Sequence, residues 1–206
     1  MNLDRWLTLM GRWGFSRNEE TFRSLMAAYA GKGRHYHSKE HIAACLRHLD
    51  SCISQIAKPH EVELALWFHD AIYKPFSGGN EQKSADWAAS FLSENGATGE
   101  DVARVHRLIM VTEHNAPTHT KDESILVDID LSILGADPQT YDLFERDVRS
   151  EYKLVPLFMY KKKRAEVLKT FLDRPNIYQN EPFATEREHQ AKENLRNAIS
   201  LLVGST

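Results

Sequence analysis

Apolar residues recur along this chain at steps of three and four. Leu3, Leu7 and Met10, then Phe22, Leu25, Met26 and Tyr29, repeat with the period of an α-helix, while the alternation of a half-buried strand is scarce. Start and stop signals divide the rest into helices with short connections. Pro59 suits a first helical position and opens HEVELALWFHDAIY, in which Val62, Ala65, Leu66 and His69 fall on one face and point His69 into the core. Asn80 is placed to cap the next helix, with Ala85, Ala88, Phe91 and Leu92 inward and Gly96 past its end. Thr98 with Asp101 starts another, carrying Val102, Val105 and Ile109 up to about His114, and Asn115 to Asp122 reads as a loop. Asp137-Pro138 is a cap followed by a first-turn proline, opening a helix through Tyr141, Phe144 and Val148 that Pro156 interrupts. Thr185 and Glu188 have capping-box spacing ahead of Ala191, Leu195, Ala198, Ile199 and Leu202. The pattern predicts an all-α bundle of about eight or more helices. With no repeat, low-complexity tract or linker, residues 1–206 read as a single domain.

Composition narrows the class. A chain of 206 residues, 42% hydrophobic and 27% charged, is enough for one sizeable core. A formal charge of -3 gives no overall field to recruit nucleic acid or an anionic membrane, so the expected partner is a small or locally bound compound. The tract YKKKR at 160–164 reads as a solvated helix face. No apolar run approaches the roughly 20 residues that span a bilayer. The N-terminal MNLDRWLTLMGRWGF lacks a signal-peptide core and cleavage site, so the expected compartment is the cytoplasm. Cys45 and Cys52 stand seven residues apart in one expected helix, about 10 Å of rise, which is too far to bridge. Two free thiols fit core packing in a reducing compartment. Trp67, Phe68, Trp87 and Phe91 read as core at helical spacing.

Three segments carry candidate chemistry. The first is His69-Asp70. The dipeptide alone means little, since ten histidines and twelve aspartates produce roughly half of one such pair by chance. Its setting at the end of an apolar helical face says more, because a buried imidazole and carboxylate are each expensive to desolvate and a divalent cation offsets both costs. The second is RHYHSKEHI, residues 34–42, where Ser38 can cap a helix containing Ile42, Cys45, Leu46 and Leu49. Two histidines four apart can share a helix face and hold one metal, a geometry that weakens when His37 lies outside the helix; His37 is read as ligand and His41 as its neighbour. The third is ILVDIDLSILGA, residues 125–136, an apolar stretch broken by two carboxylates. A buried carboxylate needs a cation or several donors, with Asp130 read as ligand and Asp128 as the alternative ligand or the residue that orients one.

The order His37, His69-Asp70, Asp130 resembles the H…HD…D signature of HD-superfamily metal-dependent phosphohydrolases. RHYHSKEHI, ELALWFHDAIY, NEQKSA, VDIDLSILGA and RSEY at 149–152 together resemble a bacterial branch of predicted metal-dependent HD phosphohydrolases. The similarity covers about residues 30–200 and leaves a helical arm of about 1–30 outside it. Asp130-Leu131-Ser132 is also similar to the last metal-binding segment of cyclic nucleotide phosphodiesterases, which favours Asp130 over Asp128.

The resemblance implies an HD-type helical fold in which His37, His69, Asp70 and Asp130 bind a divalent ion. A mixed nitrogen and oxygen shell suits Mn, Fe, Co, Ni or Zn, with Mg also a candidate. The implied reaction is hydrolysis of a phosphoester or phosphoanhydride bond in a nucleotide or related small phosphorylated compound. Arg34 and Lys74 flank two ligand motifs and are candidate phosphate contacts, followed by Arg149 and Arg164. Asp70 is expected to serve catalysis with His41 or Glu81 as general acid or base. His114 and His119 are open between phosphate contact, a second metal and a solvated loop. A second metal there would make the chain a two-metal oxygenase of the same fold, and loss of turnover would leave a non-catalytic metal or nucleotide binder.

Overall fold

The computed structural model describes residues 2–204 and is all-α: among them are ten α-helices, three short 3-10 turns and no strand. The chain divides into two compact units at Val127/Asp128. None of the described helices is long and apolar enough to cross a membrane.

The first unit holds α1 (Leu3–Trp13), α2 (Glu19–Tyr29), α3 (Lys39–Cys52), α4 (Pro59–Phe68), α5 (Asn80–Glu94), α6 (Gly99–Met110) and most of α7 (Lys121–Asp130). Pro59 opens α4 as its spacing predicts. The helix then has no single apolar face: every residue from Glu61 to Phe68 is buried, and α1, α3, α5 and α6 pack around it. A helix enclosed on all sides must pair its charges. Glu61 accepts from Arg104 Nε at 2.9 Å and lies 3.0 Å from Lys58 Nζ, while Glu63 accepts from Arg5 Nε at 2.7 Å. The N-terminal arm belongs to this core. Trp6 is fully buried, with its ring centroid 5.5 Å from Trp67 and 5.8 Å from Phe91.

Several helix ends differ from expectation, each because a side chain is engaged elsewhere. α4 stops at Phe68, short of the HDAIY that the pattern had continued. The Ile72 N–H goes to Ser84 Oγ at 3.0 Å and the Lys74 N–H to Asn80 Oδ1 at 3.1 Å, so neither can extend the helical ladder. Asn80 is thereby diverted from capping α5, whose preceding residue is Gly79 at φ 72°. Thr98 and Asp101 form the expected reciprocal box. α7 starts at Lys121, inside the expected loop, because Thr120 and Glu123 make a box of their own: Glu123 N–H donates to Thr120 Oγ1 at 3.2 Å and Thr120 N–H to Glu123 Oε2 at 3.3 Å.

The second unit holds the end of α7, a 3-10 turn (Leu131–Gly135), α8 (Pro138–Glu151), α9 (Leu157–Leu172) and α10 (Phe183–Val203). α10 packs against α9 and the turn, and α8 packs against the turn. Asp137 caps α8 through Thr140 N at 3.1 Å, as expected. The box expected at Thr185 and Glu188 does not form. α10 already begins at Phe183, and Glu188 instead accepts from Ile177 N at 2.9 Å and Tyr178 N at 3.1 Å.

Candidate metal centre

The site is assembled where two chain reversals meet. Ser38 caps α3 by accepting from Glu40 N at 3.3 Å, which sets His37 just outside the helix and His41 in its first turn. α4 ends at Phe68, and a tight turn with Ala71 N–H on the Phe68 carbonyl at 2.8 Å presents His69 and Asp70. His41 and His69 are buried, at 7% and 1% exposure, and the Asp70 side chain is 15% exposed.

Three ligand atoms converge. His41 Nε2 lies 3.2 Å from His69 Nε2, and Asp70 Oδ2 lies 3.2 Å from His69 Nε2 and 3.5 Å from His41 Nε2. Bonds of about 2.1 Å at tetrahedral or octahedral angles separate neighbouring ligand atoms by about 3.0–3.4 Å, so the spacing suits a first-row divalent ion. His41 and His69, both in the first unit, are candidate metal ligands; Asp130 is the last residue of α7.

Proton placement fits the same reading. His69 Nδ1 lies 3.1 Å from the Leu66 carbonyl, which can only accept, so Nδ1 carries the hydrogen and the neutral ring leaves a lone pair on Nε2. That lone pair faces a carboxylate oxygen. Burial opposes ionisation of Asp70, but when the imidazoles are protonated the charges of His69, His37 and His41, with a hydrogen bond from His69 Nε2–H, outweigh it and hold the carboxyl well below its ordinary range; a bound cation would take the place of that Nε2 proton. A buried anion beside two imidazole nitrogens is a donor set for a cation.

The surrounding residues position this group. Arg34 donates to the carbonyls of His37 at 3.0 Å, Asp70 at 2.6 Å and Ala71 at 2.8 Å, joining the two ligand-bearing segments. Its guanidinium also lies over the Tyr29 and Tyr73 rings. The His37 ring stacks on Tyr73 with centroids 4.0 Å apart. Cys45 Sγ is 3.7 Å from His41 Nε2 and backs that ring from the next turn of α3.

Other expected site residues have different surroundings. Lys74 is exposed on the loop after the turn, and Glu81 is half-buried in the first turn of α5. His114 is half-buried in the left-handed conformation at φ 57°, and His119 is exposed. Asp128 is fully buried and accepts from the backbone of Gln179 and Asn180 and from Asn180 Nδ2, at 2.7–3.1 Å. Burial pushes its carboxyl up to about 6 against those donors. Arg149 donates to the Tyr152 and Val155 carbonyls at 2.6 and 3.1 Å, and Arg164 pairs with Glu145 at 2.7 Å. The sequence reading set His41 beside the ligands; the fold brings its Nε2 among them. Its place in the first turn behind Ser38 was the available signal. No protein-family model, curated protein or solved structure matches the chain.

Proposed function

We propose that this chain is a metal-dependent phosphohydrolase of the HD type, cleaving a phosphoester or phosphoanhydride bond in a nucleotide or related small phosphorylated compound. The observation that carries the reading is the convergence of His41 Nε2, His69 Nε2 and Asp70 Oδ2 within 3.5 Å. The sequence resemblance adds His37 and Asp130 to the proposed shell. A divalent ion held there supplies a water of lowered pKa and polarises a phosphoryl oxygen.

The chain's own residues do the rest. The Leu66 carbonyl keeps the proton on His69 Nδ1 and leaves Nε2 as the ligand atom. Arg34 holds the His37 and Asp70 segments in register with three of its five N–H groups, and it is a proposed phosphate contact through the other two. Lys74, exposed on the loop after the turn, is a proposed phosphate contact, and Glu81 is the proposed acid or base on α5. His114 and Arg149 remain proposed substrate contacts of lower rank.

The test is elemental analysis of the purified protein, followed by a phosphate-release screen over nucleotides and small phosphomonoesters with Mn²⁺, Co²⁺, Ni²⁺ and Mg²⁺. Bound metal with metal-dependent phosphate or pyrophosphate release is the expected result. Two metals with oxygen consumption and no phosphate would replace it with an oxygenase. Tight nucleotide binding without turnover would leave a binding protein.

A further inference from the structure

The start of α9 exposes more apolar surface than a solvated helix needs. Leu154 is 79% and Phe158 74% exposed, and Leu157 and Met159 are exposed beside them. Tyr160 and Leu168 are buried and Arg164 pairs with Glu145 at 2.7 Å, which fixes the inward side of the helix and leaves Phe158 and Met159 outward. Lys162 and Lys163 follow Phe158 and Met159 at the i,i+4 positions of the same outward face. With Lys153 and Lys161, the 153–163 segment carries four lysines and no acidic residue. Lys163 reaches Glu166 at 2.7 Å, but that pair is exposed and screened.

Apolar residues ringed by one sign of charge select their partner. A second copy docking through the same segment would bring the two lysine groups together, and like charges oppose that contact. A lipid surface with anionic headgroups satisfies both halves: aliphatic and aromatic side chains enter the headgroup–acyl boundary while ammonium groups meet phosphate and carboxylate. The formal charge of -3 on the whole chain provides no general attraction, so any such binding is local to this segment. We propose that residues 153–163 dock this protein on an anionic membrane surface, with Leu154, Leu157, Phe158 and Met159 inserted and Lys153, Lys161, Lys162 and Lys163 on the headgroups.

Co-sedimentation of the full chain with phosphatidylcholine vesicles, with and without phosphatidylserine, tests this. The expected result is sedimentation with the phosphatidylserine vesicles only, weakening as salt is raised. Leu154→Ser with Phe158→Ser should lower the partition by at least about tenfold, and Lys162→Gln by about fivefold. Circular dichroism and Tm should stay unchanged in both, since these side chains are exposed. Absence of sedimentation at low salt, or equal sedimentation of the double variant, would overturn the proposal. So would a concentration-dependent dimer that the double substitution abolishes while vesicles bind neither form, which would give the segment to a second copy.

Discussion

Arg34 Nη1 donates to the Asp70 carbonyl at 2.6 Å and to the His37 carbonyl at 3.0 Å, so one guanidinium fastens together the two segments that carry the candidate ligands. Arg34→Ala should lower divalent-metal affinity by about 10–100-fold, the usual effect of removing a group that holds a ligand in place. Arg34→Lys should not restore it, because one ammonium cannot reproduce a planar fork spread over three carbonyls. Competition against a chelator measures both. Wild-type affinity in Arg34→Ala would remove Arg34 from the site's support.

His69→Ala, Asp70→Asn and His41→Ala should each abolish metal loading and phosphate release while far-UV circular dichroism stays close to wild type. His69 and Asp70 lie past the end of α4, and His41 sits in the first turn of α3, so little helix depends on them. Removing metal from the wild-type protein with a chelator should silence it, and re-addition should restore activity. His41→Ala is the discriminating variant. Full metal content in it would return His41 to the role of neighbour.

How much of this site could be read beforehand depended on whether a residue's role is local. The Ser38 cap, the two histidines beside it and the His69-Asp70 pair are short-range features, and they stand where the pattern puts them. Arg34 reaches across 36 residues to the Asp70 carbonyl, and backbone carbonyls leave no mark in a sequence. Asp128 and Asp130 look alike as letters. Their difference lies in the Gln179–Asn180 backbone that occupies Asp128, a partner 51 residues away.

Glu61 is 1% exposed, and Arg104 provides its bidentate partner from α6. Arg104→Met should cost about 3 kcal/mol in urea denaturation, because it strands a buried carboxylate near only Lys58. Glu61→Met together with Arg104→Met should recover most of that loss, since no charge is then left to desolvate. A single variant within about 0.5 kcal/mol of wild type would mean that Glu61 finds water or another donor.

The fold class was legible because most helices keep a three- and four-residue apolar repeat, and the Asp137-Pro138 and Thr98–Asp101 starts form as written. In α4 the residues expected to face inward, Val62, Ala65, Leu66 and His69, are buried, and the pattern does not show that Glu61 and Glu63 are inside as well, since their partners Arg104 and Arg5 are distant in sequence. The start of α10 failed for the same reason: Glu188 was committed to the backbone of Ile177 and Tyr178.

Gly135, in the second unit, has no room for a side chain. A Cβ there would stand 2.6 Å from the Arg187 carbonyl oxygen and 2.6 Å from Arg187 Cβ, both fixed in α10, and 3.0 Å from the Tyr178 hydroxyl. That hydroxyl accepts from Gly135 N at 3.0 Å and donates to the Leu131 carbonyl at 2.9 Å, so it cannot retreat without breaking the turn. Gly135→Ala should therefore destabilise by about 2–3 kcal/mol, the cost of overpacking against backbone. Tyr178→Phe keeps the ring and loses the two hydrogen bonds, and should cost about 1–3 kcal/mol. Urea denaturation with unchanged m-values would read both as stability losses. A Gly135→Ala protein as stable as wild type would show that α10 can move away from the turn, and the close packing of α10 on residues 131–135 would then not hold the unit together.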